Sequence, residues 1–190
     1  MSTQNSSLDG KRIIVGISGG IASYKIADVV SSLVQIGVTV DVLMTEAATR
    51  FITPLSLESL SGRPVFDTQW KHIDGHSPQH IKIAERADLM LIAPCTMDML
   101  ARITHGLTDD PVSLVCSAID RTKIPVLVAP SMNVTMLAQP STQRNMKQAS
   151  EDGFTLLTPE DGWQACRAEG LGRLPDTQSL IKALERALLG

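Results

Sequence analysis

"RIIVGISGGIASYKIADVVSSLVQIGVTVDVLMT" (residues 12–45) decides the fold. Residues 12–18 are an apolar run of strand length, and residues 22–37 repeat apolar side chains at helical spacing until Gly37 closes the turn. A second apolar run, 38–45, follows at once. The same alternation continues to the end of the chain. Residues 46–62 read as helical with an interruption at Pro54, and 63–78, with Pro64, Gly75 and Pro78, is the longest irregular piece. A short helix (80–87), a strand (88–94) and a helix ending at Gly106 (97–106) come next. Residues 111–119 are ambiguous in period and are read as a helix from their place in the alternation. A strand (124–130), a polar helix (139–152), a strand (154–159) and a closing helix (177–189) complete the pattern. Five strands bounded mostly by helices predict a three-layer α/β architecture, a doubly wound parallel sheet covered on both faces. With no internal repeat or linker, residues 11–190 are expected to form one domain after a disordered tail at 1–10.

Composition narrows the function. Of the 190 residues, 43% are hydrophobic and only 19% charged, which hints at apolar surface covered by other subunits. A net charge of −3 without a basic cluster argues against a nucleic-acid partner. No apolar run reaches membrane-spanning length, and the first nine residues lack the apolar stretch of a signal peptide. Three widely spaced cysteines make no disulfide framework and fit a reducing cytoplasm.

Sheets of this kind bind ligands beyond the carboxyl ends of their strands. Five loops are therefore expected to share one crevice: 18–22 (SGGIA), 45–49 (TEAAT), 94–98 (PCTMD), 130–136 (PSMNVTM) and the glycine-punctuated stretch around Cys166. The first is either a phosphate site at a helix N-terminus or an ordinary tight turn. It is not a dinucleotide fingerprint, because Ser18 and Ile21 stand where glycines are required. Gly16-Ile17-Ser18-Gly19-Gly20 also fits a G-x-S-x-G nucleophile elbow, but only one strand precedes it and no histidine follows His105. His72, His76 and His80 recur every four residues, yet Gly75 and Pro78 break any helix that would align them, so no metal site is expected. His80 alone stands at the start of a helix near the crevice. Cys95 and Cys116 sit in or beside apolar segments and read as core. Asn133 offers an amide that can grip a carboxylate, or is a turn residue.

In order and spacing, "GISGGIASYK", "MTEAATRFITPLSLESLSG", "HIKIAERADLMLIAPCTMDMLARITHGLTDD", "APSMNVTM" and "ACRAEGLGRL" resemble the flavin-dependent cysteine decarboxylases. The resemblance runs from about Lys11 to the C-terminus and is nearest to the branch that decarboxylates 4′-phosphopantothenoylcysteine to 4′-phosphopantetheine for coenzyme A. It implies a flavodoxin-like (Rossmann-like) sheet, bound FMN, and homotrimers or trimers of trimers with sites at subunit contacts. It puts FMN against Gly19, Gly20, Ile21, Thr45, Thr96, Met97, Asp98 and Met99, with Phe51 toward a neighbouring subunit's flavin. The family's catalytic histidine falls on His80, its P-x-M-N-x-x-M asparagine on Asn133 and its loop cysteine on Cys166. Ala165, Arg167 and Asn133 are expected to touch substrate. The implied chemistry oxidises the cysteine β-carbon with FMN, loses CO₂ to leave an ene-thiolate, and then returns a hydride while a thiol gives a proton.

The chain departs from the family pattern in three places. Leu137 replaces an aromatic residue, Arg167 and Ala168 replace glycine and aspartate after the cysteine, and Asp109-Asp110-Pro111 replaces Asn-Asp-Leu. Members of the bacterial branch commonly carry a further ligase domain, so a separate synthetase is expected to make the substrate. Three rival readings are an oxidative decarboxylase of peptidyl cysteine, a prenyl-transferring flavin enzyme and a regulatory subunit without turnover. The first needs no returning proton and so does not account for the Cys166 loop. The second lacks the Asn133 and Cys166 motifs, and the third does not account for His80, Asn133 and Cys166 together.

Overall fold

The computed structural model describes residues 6–70, 78–165, 167 and 169–189. Among them five strands form one parallel sheet: β1 (Arg12–Ile17), β2 (Thr39–Met44), β3 (Leu89–Cys95), β4 (Val126–Pro130) and β5 (Thr155–Leu156), in the order β2-β1-β3-β4-β5. This is the flavodoxin-like arrangement, with a reversal of winding between β1 and β3. Ile13 to Gly16 pair there with Leu89 to Ile92.

Strict alternation sorts the strand side chains onto two cores. Ile13, Val15, Ile17, Leu89, Leu91, Ala93, Leu127 and Ala129 face one side, where α1 (Ile26–Gln35), α2 (Pro54–Ser61) and α8 (Thr177–Leu189) cover them. Ile14, Met90, Ile92, Val126 and Val128 face the other, under α3 (Gln79–Glu85), α4 (Met97–His105), α5 (Pro111–Ser117) and α7 (Pro140–Glu151). Burial on both faces is why these strands read as continuous apolar runs rather than alternating ones. Gly16 lies where α5 comes closest, since a Cβ there would stand 2.7 Å from the Val112 side chain. Cys95 and Cys116 are both buried in the second core, as the sequence indicated.

Several boundaries differ from the sequence reading. Pro54 does not interrupt a helix; it starts α2 at the first helical position, where its missing N–H costs nothing, and Thr53 caps that end. Residues 22–37 begin as a 3₁₀ turn (Ile21–Lys25) before α1. A short α6 (Val134–Leu137) lies between β4 and α7, and the strand expected over 154–159 is only two residues long. Residues 6–10, read as part of a disordered tail, form a turn with Leu8 fully buried as an apolar plug and the Ser6 hydroxyl 2.9 Å from Glu185. The expected irregular stretch contributes Phe66, which bridges the outer edge of β2 by exchanging backbone hydrogen bonds with Val42 and Met44. On that edge Asp41 accepts from Arg12 and Arg63, at 3.3 and 2.7 Å. Among the described residues no helix is long and apolar enough to cross a membrane.

Candidate active site

At the carboxyl ends of the strands the loops enclose a cavity of about 1280 Å³. That exceeds the roughly 300–1,000 Å³ typical of a pocket for one small molecule, so a cofactor and a substrate fit together. Its walls come from all five loops expected to converge.

The floor is fastened at the winding reversal. Ser18, 2% exposed, donates its hydroxyl to the Pro94 carbonyl at 2.7 Å and accepts from the Thr96 N–H at 2.9 Å. Its partners are thus backbone and threonine, with no histidine among them, which removes the basis for a nucleophile elbow. Ser23 ties the same loop from below by donating to the Ser18 and Gly20 carbonyls. Gly19 packs so tightly on the 45–48 turn that a Cβ would lie 2.4 Å from that of Ala47. Thr45 holds the turn by accepting from the Ala48 N–H. Thr96 caps α4 by accepting from the Met99 N–H at 3.2 Å. Exposed backbone beside small residues is the cradle a flat, phosphate-bearing ligand requires.

A second wall carries charge. Asp110 caps α5, accepting from the Val112 and Ser113 N–H groups and from the Ser113 hydroxyl, while Pro111 takes the first helical position. The departure at 109–111 is therefore a well-formed helix start. Arg102 donates to Asp98 and Asp109 and stands 3.9 Å from Asp110, and its hydrogen bond to Asp98 raises its affinity for its proton. Lys25, Arg50 and Arg173 also line the cavity and make no ion pair with a described residue.

The third wall joins two loops. Asn133 caps α6, its carbonyl oxygen accepting from the Thr135 N–H at 2.8 Å, so the cap fixes which end of the amide is the donor. Against it lies a hairpin whose stem pairs Glu160 with Arg173 and Gly162 with Gly170. Gly170 and Gly172 both have positive φ, and a Cβ on Gly172 would come within 2.1 Å of the Met132 carbonyl oxygen. These two glycines fit the stem to its neighbour. Arg167 also has positive φ, +65°, at the position where the family pattern has glycine.

Of the expected contacts, Gly19, Gly20, Ile21, Thr45, Thr96, Met97, Asp98, Asn133, Ala165 and Phe51 line the cavity. Met99 does not: its side chain is fully buried in the core beneath. Arg167 is exposed and lies off the cavity wall, because its left-handed backbone belongs to the far end of the hairpin. His80, half-buried in the first turn of α3, is also off the wall of this one chain. Cys166, Ala168, His72 and His76 fall outside the described residues. Among the described residues no histidine, cysteine and carboxylate group is arranged to hold a metal ion. Sequence reasoning missed Trp163, an exposed indole on the rim, and Arg173 and Met136. It also missed Gln164 as a structural element, although a glutamine only 7% exposed within a glycine-rich loop is an unusual residue to bury.

The model of the family described as Flavoprotein matches residues 1–189. The chain belongs to the flavoprotein family. Among relatives of this flavoprotein, the coenzyme A biosynthesis bifunctional protein CoaBC of Vibrio cholerae is 42% identical over 179 residues, covering 94% of this chain and 44% of that protein. The chain thus spans less than half the length of this curated relative. A solved PPC decarboxylase, a cysteine-to-serine mutant complexed with pantothenoylaminoethenethiol, superposes with a TM-score of 0.83 at 26% identity, over 95% of this chain and 99% of that one. The FMN-dependent cysteine decarboxylase SpaF gives 0.82 at 26% identity, over 97% and 100%. The glycine cradle, the cavity's size and the cations that make no ion pair with a described residue fit an anionic flavin with a second ligand beside it.

Proposed function

We propose that this flavoprotein is an FMN-dependent carboxy-lyase that converts 4′-phosphopantothenoylcysteine to 4′-phosphopantetheine. One observation carries the reading: a single cavity joins the glycine cradle at the winding reversal to the Asn133 turn and the stem of the Cys166 hairpin. It is strengthened by the likeness to a PPC decarboxylase whose cysteine-to-serine mutant holds an ethenethiol, since a cysteine's loss is then associated with an unsaturated thiol. Similarity to relatives named for coenzyme A biosynthesis points the same way.

FMN, when bound, supplies the reversible two-electron oxidation that gives the leaving carboxylate an electron sink. The chain's residues do the rest. Gly19, Gly20 and Ile21, at the start of the first helix, would hold the cofactor's phosphate. The Asn133 amide donates to the substrate carboxylate and so positions the β-carbon for oxidation, while Lys25, Arg50 and Arg173 supply positive potential for the substrate's phosphate. Cys166 gives its proton to the ene-thiolate after CO₂ has left. His80 exchanges the thiol proton, and it reaches the cavity of a neighbouring copy, because it lies off the wall of its own. Ile21, Tyr24 and Phe51, all large apolar side chains exposed on the cavity wall, are the surface such a homotrimer would cover.

The test is an absorption spectrum of the purified protein, then mass spectrometry after incubation with 4′-phosphopantothenoylcysteine. Flavin absorption released as FMN, with a product lighter by one CO₂, is expected. Turnover of a peptide ending in cysteine with the small substrate left intact would reassign the protein to peptidyl cysteine. Absence of both flavin and flavin uptake would end the proposal.

A further inference from the structure

We propose that Gln164 is a positioning residue that sets the Asn133 turn and the Cys166 hairpin at a fixed separation. Its side chain is bound at both ends. The carbonyl oxygen accepts from the Val134 N–H at 3.2 Å, directly after Asn133. The amide nitrogen donates to the carbonyls of Gly170 and Leu171, at 3.2 and 3.1 Å, on the returning strand of the hairpin. The side chain is 7% exposed, so water does not replace these bonds cheaply. A second link runs parallel: the Met132 N–H donates to the Gly172 carbonyl at 3.0 Å. Only backbone fits at that crossing, because any Cβ on Gly172 would collide with Met132.

The chemistry explains why such a link matters. This inference rests on the decarboxylase reading, in which one loop holds the carboxylate end of the substrate and the other returns a proton to the carbon that has lost CO₂. Oxidation and CO₂ loss depend on the first loop, and saturation of the ene-thiolate depends on both. The Gln164 side chain couples the two loops through backbone atoms of Val134, Gly170 and Leu171.

The position is tested with Gln164→Met, which keeps the length and removes every hydrogen bond, and with Gln164→Glu. The glutamate retains the acceptor for Val134 and loses the donor while ionised. We expect both to keep FMN. In Gln164→Met the ratio of ethenethiol to saturated thiol product should rise at least about tenfold, with CO₂ release falling less. In Gln164→Glu that ratio should drop back toward wild type as pH falls and the carboxylic acid regains an O–H donor. Amide exchange at Val134 and Gly170–Gly172 should rise in the flavin-free Gln164→Met protein. A merely structural glutamine would lower both products in proportion and give no pH-dependent ratio, which would overturn the proposal. Unchanged exchange at Val134 would overturn it independently. A wild-type protein that leaves the substrate intact removes the decarboxylase reading, while the exchange result still reports on the fastening.

Discussion

At the scale of single residues, Asn133 gives the sharpest test. Aspartate also caps helices, so Asn133→Asp should keep the bond from the Thr135 N–H and with it the turn. It replaces an N–H₂ donor with a negative charge facing the substrate carboxylate. We expect bound FMN, a melting temperature within about 2 °C of wild type, and a fall in kcat/KM of at least about a thousandfold. Turnover at the wild-type rate would show that Asn133 is only a cap. Much at this scale was legible. Cys95 and Cys116 lay in apolar context and are core, and Gly19 of the first loop lies where a side chain would collide with Ala47. Gln164 was not legible, because its partners are carbonyls and an N–H from segments up to 30 residues away, which no local pattern encodes. Met99 was misplaced for a related reason. A motif gives the loop, while the helical turn decides which of its side chains points inward.

At the scale of elements, the apolar runs placed four of the five strands to within two residues, since burial on both faces leaves no room for polar interruptions. The fifth strand was overestimated because only Thr155 and Leu156 pair with β4, the Leu157 N–H making the last bond, to the Val128 carbonyl. The helix α5 was ambiguous in period for a physical reason: Val112, Val115 and Cys116 are buried and its sides are largely covered, so no polar face marks the turn. That burial has a measurable consequence. It pushes the Cys116 thiol from its usual 9.0 up to about 12, with Arg121 opposing and Asp110 adding, and it raises Cys95 as well, with Cys116 and Asp98 adding. An acid whose folded affinity for its proton is raised adds stability while both states stay protonated. The contribution is intact below about pH 9 and shrinks as pH climbs toward about 12, because the unfolded thiol ionises first. The urea midpoint should therefore fall above pH 9, and Cys116→Ala, though less stable at pH 7, should show a shallower fall. Native protein at pH 8 should not be alkylated at either residue. Rapid labelling of Cys116 would contradict the burial.

At the scale of the molecule, the position of His80 outside its own chain's cavity makes a prediction about assembly. His80→Asn and Asn133→Asp should each be inactive alone. If each site draws its histidine from one copy and its asparagine from the next, co-refolded mixtures regain about a quarter of wild-type activity by random pairing. No recovery in a mixed oligomer, or a monomer by light scattering, would place both residues in one chain. A parallel sheet covered on both faces was legible because five strands alternate with helices, whereas the flavodoxin-like arrangement was implied by the family resemblance and the mutual seating of loops is a tertiary outcome. The glycine-cradle side of the cavity is bolted by Ser18 to the central strands β1 and β3, while the side walled by Asn133 and Gln164 hangs on β4 and on the two-residue edge strand β5. Drift in 131–137 and 160–173 could retune which cysteine-bearing molecule is accepted without disturbing the cradle, so grafting those two segments from a relative with another substrate should transplant preference and leave flavin affinity where it was.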